Sequence, residues 1–150
     1  MKKHIFALTA VMAVLFMFSS CGKYEEGPSF SLLTKKARIT GIWKIEKQLV
    51  NGVEVALDEM FQGTSIELIK DGTGKISMSI GPLILNVDLE WEFSDDKMQI
   101  KLRMKDETDP TKWGEWEVQD ILRLTNKECW LQSESIEDSV KVVSEMHLTK

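Results

Sequence analysis

Leu83-Ile84-Leu85-Asn86-Val87-Asp88-Leu89-Glu90-Trp91-Glu92-Phe93 alternates apolar and polar side chains along most of its length, and that period of two decides the fold. In an extended chain Leu83, Leu85, Val87, Leu89, Trp91 and Phe93 fall on one face, while Ile84, Asn86, Asp88, Glu90 and Glu92 fall on the other. A helix of about 3.6 residues per turn would scatter both sets around its surface. The alternation recurs downstream, where Met98, Ile100, Leu102 and Met104 interleave with Gln99, Lys101, Arg103 and Lys105. It recurs upstream too, where Ile76, Met78 and Ile80 interleave with Lys75, Ser77 and Ser79. Strands with one dry and one wet face are those of antiparallel sheets.

Turn chemistry marks the ends of these runs. Asn51-Gly52 separates residues 43–50 from 53–57, Asp71-Gly72-Thr73-Gly74 separates 65–70 from 75–80, and Ser94-Asp95-Asp96-Lys97 follows Phe93. Further strands are predicted at 114–124, 128–135 and 139–149, joined by Thr125-Asn126-Lys127 and Ile136-Glu137-Asp138. The only place for a helix within this series is 58–62. About eight or nine strands, dry on one side and with no helix to cover them, must close into a barrel or fold as a sandwich. An up-and-down antiparallel barrel is the expected architecture, with a dry face running through Trp43, Ile45, Ile66, Leu68, Ile76, Met78, Ile80, Leu85, Val87, Leu89, Trp91, Ile100, Leu102, Val118, Leu122, Val140, Val142 and Met146. Trp116, alternating with Val118, is expected in the core, and Trp113 at the edge of the loop 105–116.

The amino terminus carries a different signal. Lys2-Lys3, an apolar run from Ile5 to Phe18 broken only by Thr9, and Ser19-Ser20-Cys21 together resemble a bacterial lipoprotein signal peptide. The apolar run is shorter than the roughly 20 residues a spanning helix needs. Phe18 stands where leucine is commonest in such motifs. The resemblance implies cleavage before Cys21 and lipidation of that cysteine, hence a cell-envelope protein held on the outer membrane by acyl chains. An ordinary secretory signal that leaves Cys21 as a free terminal thiol is the alternative. The expected organisation is a signal peptide over 1–20, the lipidated Cys21 and a polar tether over 21–36, and a barrel domain over 37–150. Glu25-Glu26 resemble the acidic surface-export signal of Bacteroides-type lipoproteins, and read equally well as a solvated linker.

Loss of residues 1–20 leaves 130 of the 150 residues, one domain with room for a core. It also removes Lys2 and Lys3 from the 19 basic side chains, so 17 remain against 24 acidic ones, a formal charge of −7. No basic patch is visible in the sequence, which argues against a nucleic-acid partner. Cys129 is the only cysteine besides Cys21, so no intrachain disulfide is expected.

Leu32 to Lys44, containing Gly41-x-Trp43 after a short amphipathic lead-in, resembles the start of lipocalin-like proteins. With the lipoprotein signal, the Trp91-x-Phe93 strand and Ile121-Leu122-x-Leu124-Thr125-Asn126-Lys127, the chain resembles the lipocalin-like lipoproteins of Bacteroides-type bacteria over residues 32–150. That resemblance implies a barrel whose closed end is plugged by Trp43, with Gly41 allowing the tight approach. It departs from true lipocalins in lacking a late Thr-Asp-Tyr segment. It departs also in having no clear equivalent of the basic residue that stacks on the tryptophan from the end of the last strand, Lys150 being only a candidate. The family brings a shape and an address rather than a reaction.

No catalytic residues, metal site or cofactor is expected. His147, the only histidine after the signal, falls between Met146 and Leu148 on the outer face, and Cys129 borders a strand beside Trp130, so the pair does not read as a nucleophile and base. No zinc-type spacing or phosphate-binding glycine loop is present. Asp88, Glu90 and Glu92 read as cross-strand partners of Lys101 and Arg103, and Asp106-Glu107-Thr108-Asp109 as a solvated loop. Two functional readings remain. An eight-stranded barrel is just wide enough to be filled by side chains or to hold one small ligand, and Met78, Leu89, Trp91, Met104 and Met146 are the candidate lining for a small apolar or amphipathic molecule. In the other reading the core is filled, and Trp113 and Trp116 engage a glycan or a protein.

Overall fold

The computed structural model describes Tyr24 and residues 32–106, 108–109 and 111–150. The signal 1–20, Cys21 and Glu25-Glu26 lie outside the described residues.

Nine strands follow a short helix α1 (Lys35–Ile39): β1 (Gly41–Val50), β2 (Val53–Val55), β3 (Ser65–Leu68), β4 (Thr73–Ile80), β5 (Leu83–Phe93), β6 (Gln99–Met104), β7 (Glu117–Leu124), β8 (Glu128–Glu137) and β9 (Val140–Thr149). A second helical turn, α2 (Glu59–Gln62), sits between β2 and β3 where Asp58 caps it by accepting from the Phe61 amide at 2.8 Å. Each strand from β3 to β9 pairs antiparallel with the next, β1 pairs with β3, and β9 returns to pair with β1. The sheet therefore closes as an eight-stranded barrel. β2 is a short extra ribbon continuing along the β3 edge of β1.

Strand direction gives the barrel two unlike ends. α1, the turns 69–72, 94–98 and 125–127, and Lys150 gather at one end; the turns 51–52, 81–82 and 138–139 and the loop 105–116 gather at the other.

The first end is closed by side chains. Trp43 is fully buried, with its indole N–H donating to the Ile39 carbonyl at 2.6 Å. Lys150 holds its ammonium 4.4 Å from the Trp43 ring and donates to the Arg38 and Thr40 carbonyls at 2.7 and 2.6 Å. Arg38 in turn donates to the Leu124 carbonyl at 2.7 Å. These bonds satisfy carbonyls left over at the end of a five-residue helix, and they tie the first and last strands to the β7–β8 turn. Gly41 adopts φ +132, and a Cβ there would stand 2.9 Å from the Lys150 Cε, so glycine is what lets the lysine close over the tryptophan. The second tryptophan at this end, Trp91, donates to the Ile69 and Thr73 carbonyls at 2.9 and 3.1 Å and meets Phe93 edge-on at 5.6 Å. Leu89, Ile100, Leu124, Cys129 and Leu148 fill the space between, each essentially without exposure.

Tyr24 belongs to this plug as well. In the stretch read as a tether it is buried, and its hydroxyl donates to the Lys97 carbonyl at 2.8 Å.

One strand departs from the expected facing. β7 carries an irregularity between Ile121 and Arg123 where it pairs with β8. Register aligns Gln119 with the buried Ile100 and Glu117 with Leu102, so the inward positions of β7 are Glu117, Gln119 and Ile121. Val118 points outward opposite Lys101 and is 46% exposed, and Trp116 lies outside over the Arg103 guanidinium at 4.5 Å. The expectation that Trp116 and Val118 are core is therefore overturned: the extra residue of the bulge shifts the alternation by one.

Replacing Lys150 by methionine keeps most of the apolar stem but removes the cation–π contact and both carbonyl bonds. A loss of about 2 kcal/mol is expected, readable as a lowered urea midpoint with an unchanged denaturant slope.

Candidate functional site

The half of the barrel away from the plug has a different interior. By register, the inward residues there are Ile76 and Met78 on β4, Leu85 and Val87 on β5, and Leu102 and Met104 on β6. On the other wall stand Glu117 and Gln119 on β7, Ser133 and Ser135 on β8, and Val142, Ser144 and Met146 on β9, with Gln48 and Val50 on β1. The wall made by β4, β5 and β6 is apolar. The wall made by β7, β8, β9 and β1 mixes Glu117, two glutamines and three serines among its apolar side chains.

Exposure separates the two halves of the same strands. Leu89 on β5 is 1% exposed, whereas Leu85, two inward positions nearer the mouth, is 41% exposed; Met104 on β6, opposite Leu89, is 40% exposed. Solvent therefore reaches inward-facing apolar side chains at the mouth, while the closed end is filled. Leu57 and Phe61, flanking and within α2, turn onto the core and cover part of the span between β1 and β4. The lip is apolar: Val53, Ile80, Leu83, Ile84 and Val140 are all exposed.

The residues predicted to line a ligand site divide along this boundary. Leu89 and Trp91 belong to the filled closed half, with the Trp91 N–H already satisfied by backbone carbonyls. Met78 and Met146 are half-buried and Met104 is exposed, and these three methionines face the open half. Sequence reasoning missed Glu117, Gln119, Ser133 and Ser144, because polar residues on an alternating strand read as the wet face. The bulge in β7 is what turns Glu117 and Gln119 inward, whereas Ser133 and Ser144 follow by alternation from Leu131 and Met146.

Trp113 lies on the outside of the barrel. An isolated bridge joins it to Lys105, and the Gly114 amide donates to the Met104 carbonyl at 2.9 Å. This folds the loop back onto β6, where the Arg103 guanidinium stands 5.3 Å from the Trp113 ring and 4.5 Å from the Trp116 ring. Beside Trp113 a surface groove of about 340 Å³ is bordered by Glu67, Thr73, Lys75, Asp88 and Glu90. Two of these carboxylates are engaged, Glu90 by Arg103, which donates at 2.8 and 2.5 Å, and Asp88 by Lys105 at 3.9 Å; on the neighbouring register pair Lys101 meets Glu92 at 3.1 Å. At such exposure each pair contributes at most about 1 kcal/mol, so they set cross-strand register more than stability.

The remaining chemical candidates fall apart in space. Cys129 faces the core opposite Leu148, whereas His147, on the next register pair, faces outward against Trp130. The His147 and Trp130 rings stack at 4.1 Å with an 8° tilt, and His147 Nε2 shares a hydrogen bond with Glu145. Thiol and imidazole are thus on opposite sides of the sheet and do not form a nucleophilic pair. In the loop 105–116, Asp106 accepts from the Thr108 amide and hydroxyl at 2.7 and 2.6 Å, and Asp109 pairs with Lys112 at 2.8 Å. The bond from the Thr108 hydroxyl holds Asp106 below the usual carboxylate range, and the Lys112 contact does the same for Asp109. Among the described residues, no group of three or more histidine, cysteine or carboxylate side chains is placed to hold a metal ion.

No protein-family model matches the chain, and no curated protein matches it in sequence. Solved structures do match in fold. Insecticyanin from the tobacco hornworm Manduca sexta superposes with a TM-score of 0.60 at 14% identity, over 87% of this chain and 68% of that one. Bovine odorant-binding protein, solved in complex with a selenium-containing odorant, gives 0.44 at 14% identity over 81% and 75%. The bovine lipocalin allergen Bos d 2 gives 0.44 at 11% identity over 78% and 75%. At these identities the likeness is one of fold, and the barrel is lipocalin-like.

Burial pushes the Cys129 thiol up from its ordinary 9.0 to about 12. Between those values the unfolded chain releases the proton and the folded chain keeps it, so stability present below pH 9 is lost as pH rises toward 12. A urea midpoint that falls over that range, and falls less steeply in Cys129→Ala, is expected. Alkylation of Cys129 should occur only on unfolding.

Proposed function

We propose that this chain is a non-enzymatic, lipocalin-like binding protein, held on the outer membrane of a bacterial cell envelope by lipid on Cys21, which takes a small amphipathic molecule into the open half of its barrel. The observation that carries the reading is the solvent exposure of inward-facing Leu85 and Met104 above a filled closed end. An apolar wall on β4–β6 suits the hydrocarbon part of a ligand, and the polar side chains of β7, β8, β9 and β1 suit its head group. Met78, Met104 and Met146 give the pocket a surface that adapts to irregular shapes. The lipoprotein-type amino terminus supports the address.

A second reading rests on the outer groove beside Trp113. An indole edge next to threonine, lysine and carboxylate groups is a surface on which a sugar ring can stack and hydrogen-bond. In that case Trp113→Ala abolishes glycan binding and leaves dye uptake into the barrel unchanged.

The barrel reading is tested with a naphthylamine dye whose emission rises in apolar surroundings. Leu85→Asp and Met104→Asp should each weaken dye binding by about tenfold or more, the equivalent of losing about 1.5 kcal/mol of apolar contact. Val118→Asp, on the same barrel but outside it, should leave binding unchanged. Equal effects from all three would contradict the assignment.

A further inference from the structure

Charge is segregated along the barrel axis. At the closed end Lys35, Lys36, Lys70, Lys97 and Lys127, together with Arg38, Arg123 and Lys150 that are engaged within the protein, stand against Glu67, Asp71, Asp95, Asp96 and Glu128. At the mouth the sign reverses, with Glu54, Asp58, Glu59, Asp106, Asp109, Glu115 and Asp138 against Lys105, Lys112 and Lys141. A chain with a formal charge of −5 therefore carries a basic cap.

The amino-terminal segment is fixed to the same end. Tyr24 is 2% exposed, donates to the Lys97 carbonyl, and has the Lys35 ammonium 4.3 Å from its ring. Only Gly22 and Lys23 separate it from Cys21, so an acyl chain on Cys21 begins within about 11 Å of Tyr24, whatever path those residues take. Charges act on an anionic membrane surface over roughly a Debye length, about 8 Å at physiological ionic strength. Anchor and basic cap thus fall within the same short distance of the bilayer.

From these observations, and resting on the proposed lipidation of Cys21, we infer that the closed end of the barrel is a membrane-facing surface that seats its lysines on anionic lipid headgroups, with the mouth turned away from the anchoring bilayer. The acidic mouth is repelled by the surface that attracts the cap. Ligand then enters and leaves on the side opposite the anchor, without passing through the lipid that holds the protein.

The test uses the full lipidated chain in phosphatidylcholine vesicles with and without phosphatidylglycerol. A bimane label is placed at Asn126→Cys, in the closed-end turn 125–127, or at Pro82→Cys, in the mouth turn 81–82. Cys129 is buried and leaves the labelling unambiguous. Quenching by headgroup spin-labelled lipid should be several times stronger at 126 than at 82, and phosphatidylglycerol should widen the difference. Adding Lys70→Glu and Lys127→Glu should narrow it again at low salt. Equal quenching at the two sites, or stronger quenching at 82, in a protein whose intact mass shows the acyl chains would overturn the orientation alone. An intact mass without acyl chains would overturn the anchored reading and this inference with it.

Discussion

Pairing of β1 with β9 is the constraint on which everything else in this barrel depends. It joins the first and last long strands, removes both sheet edges, and divides one dry face into an enclosed interior. A contact so distant in sequence carries a heavy loop-closure cost, and the residues around it act together as a clasp. Trp43 on β1 is covered by Lys150 at the end of β9, Lys150 holds the carbonyls that end α1, and Arg38 of α1 holds the β7–β8 turn. The plug and the closure are therefore one device. It also explains why the closed end is packed to near-zero exposure while the mouth is not.

What the mouth contains follows from two irregularities: one in β1 between Ile45 and Lys47, which turns Gln48 and Val50 inward, and one in β7. Had β7 kept a regular register, Val118 would line the interior and the barrel would be apolar around most of its circumference. The bulge at the β7–β8 pairing puts Glu117 and Gln119 inside and sends Val118 and Trp116 out to Arg103. Together with Ser133, Ser135, Ser144 and Gln48 they make one wall polar. An interior divided in this way suits a molecule with both a hydrocarbon part and a head group, and it distinguishes the site from a simple oily cavity.

Much of this was legible in the sequence. The alternation of residues 83–93 and its neighbours placed β4, β5 and β6 and their facing, and Asn51-Gly52, Asp71-Gly72 and Thr125-Asn126 placed the turns. The short helix after β2 and the pairing of Glu90 and Glu92 with Arg103 and Lys101 were also readable, because both depend on local spacing. Trp43 of the Gly-x-Trp start is buried at the closed end, and Lys150, for which the sequence offered no clear standing beyond that of a candidate, lies over its ring. Three things depend on long-range contact and could not be read locally. Tyr24 sits in a polar, turn-rich stretch yet buries itself at the closed end, because its partner is the carbonyl of Lys97. Trp91 reads as one more lining residue, yet it is consumed by the carbonyls of the β3–β4 turn. The facing of β7 hinges on one bulged residue, which no period-two pattern announces.

A barrel filled at one end and holding an amphipathic guest at the other carries methionines in both halves. Methyl-labelled methionine spectra, recorded while a medium-chain alkyl amine, alcohol or acid is added, report on both halves at once. The account predicts that the Met78, Met104 and Met146 methyl signals shift with saturation, while Met98 at the plug and Met60 on the outer side of α2 stay in place. Shifts confined to Met60 and Met98, or the absence of any saturable shift at the three mouth methionines with every amphiphile, would contradict it.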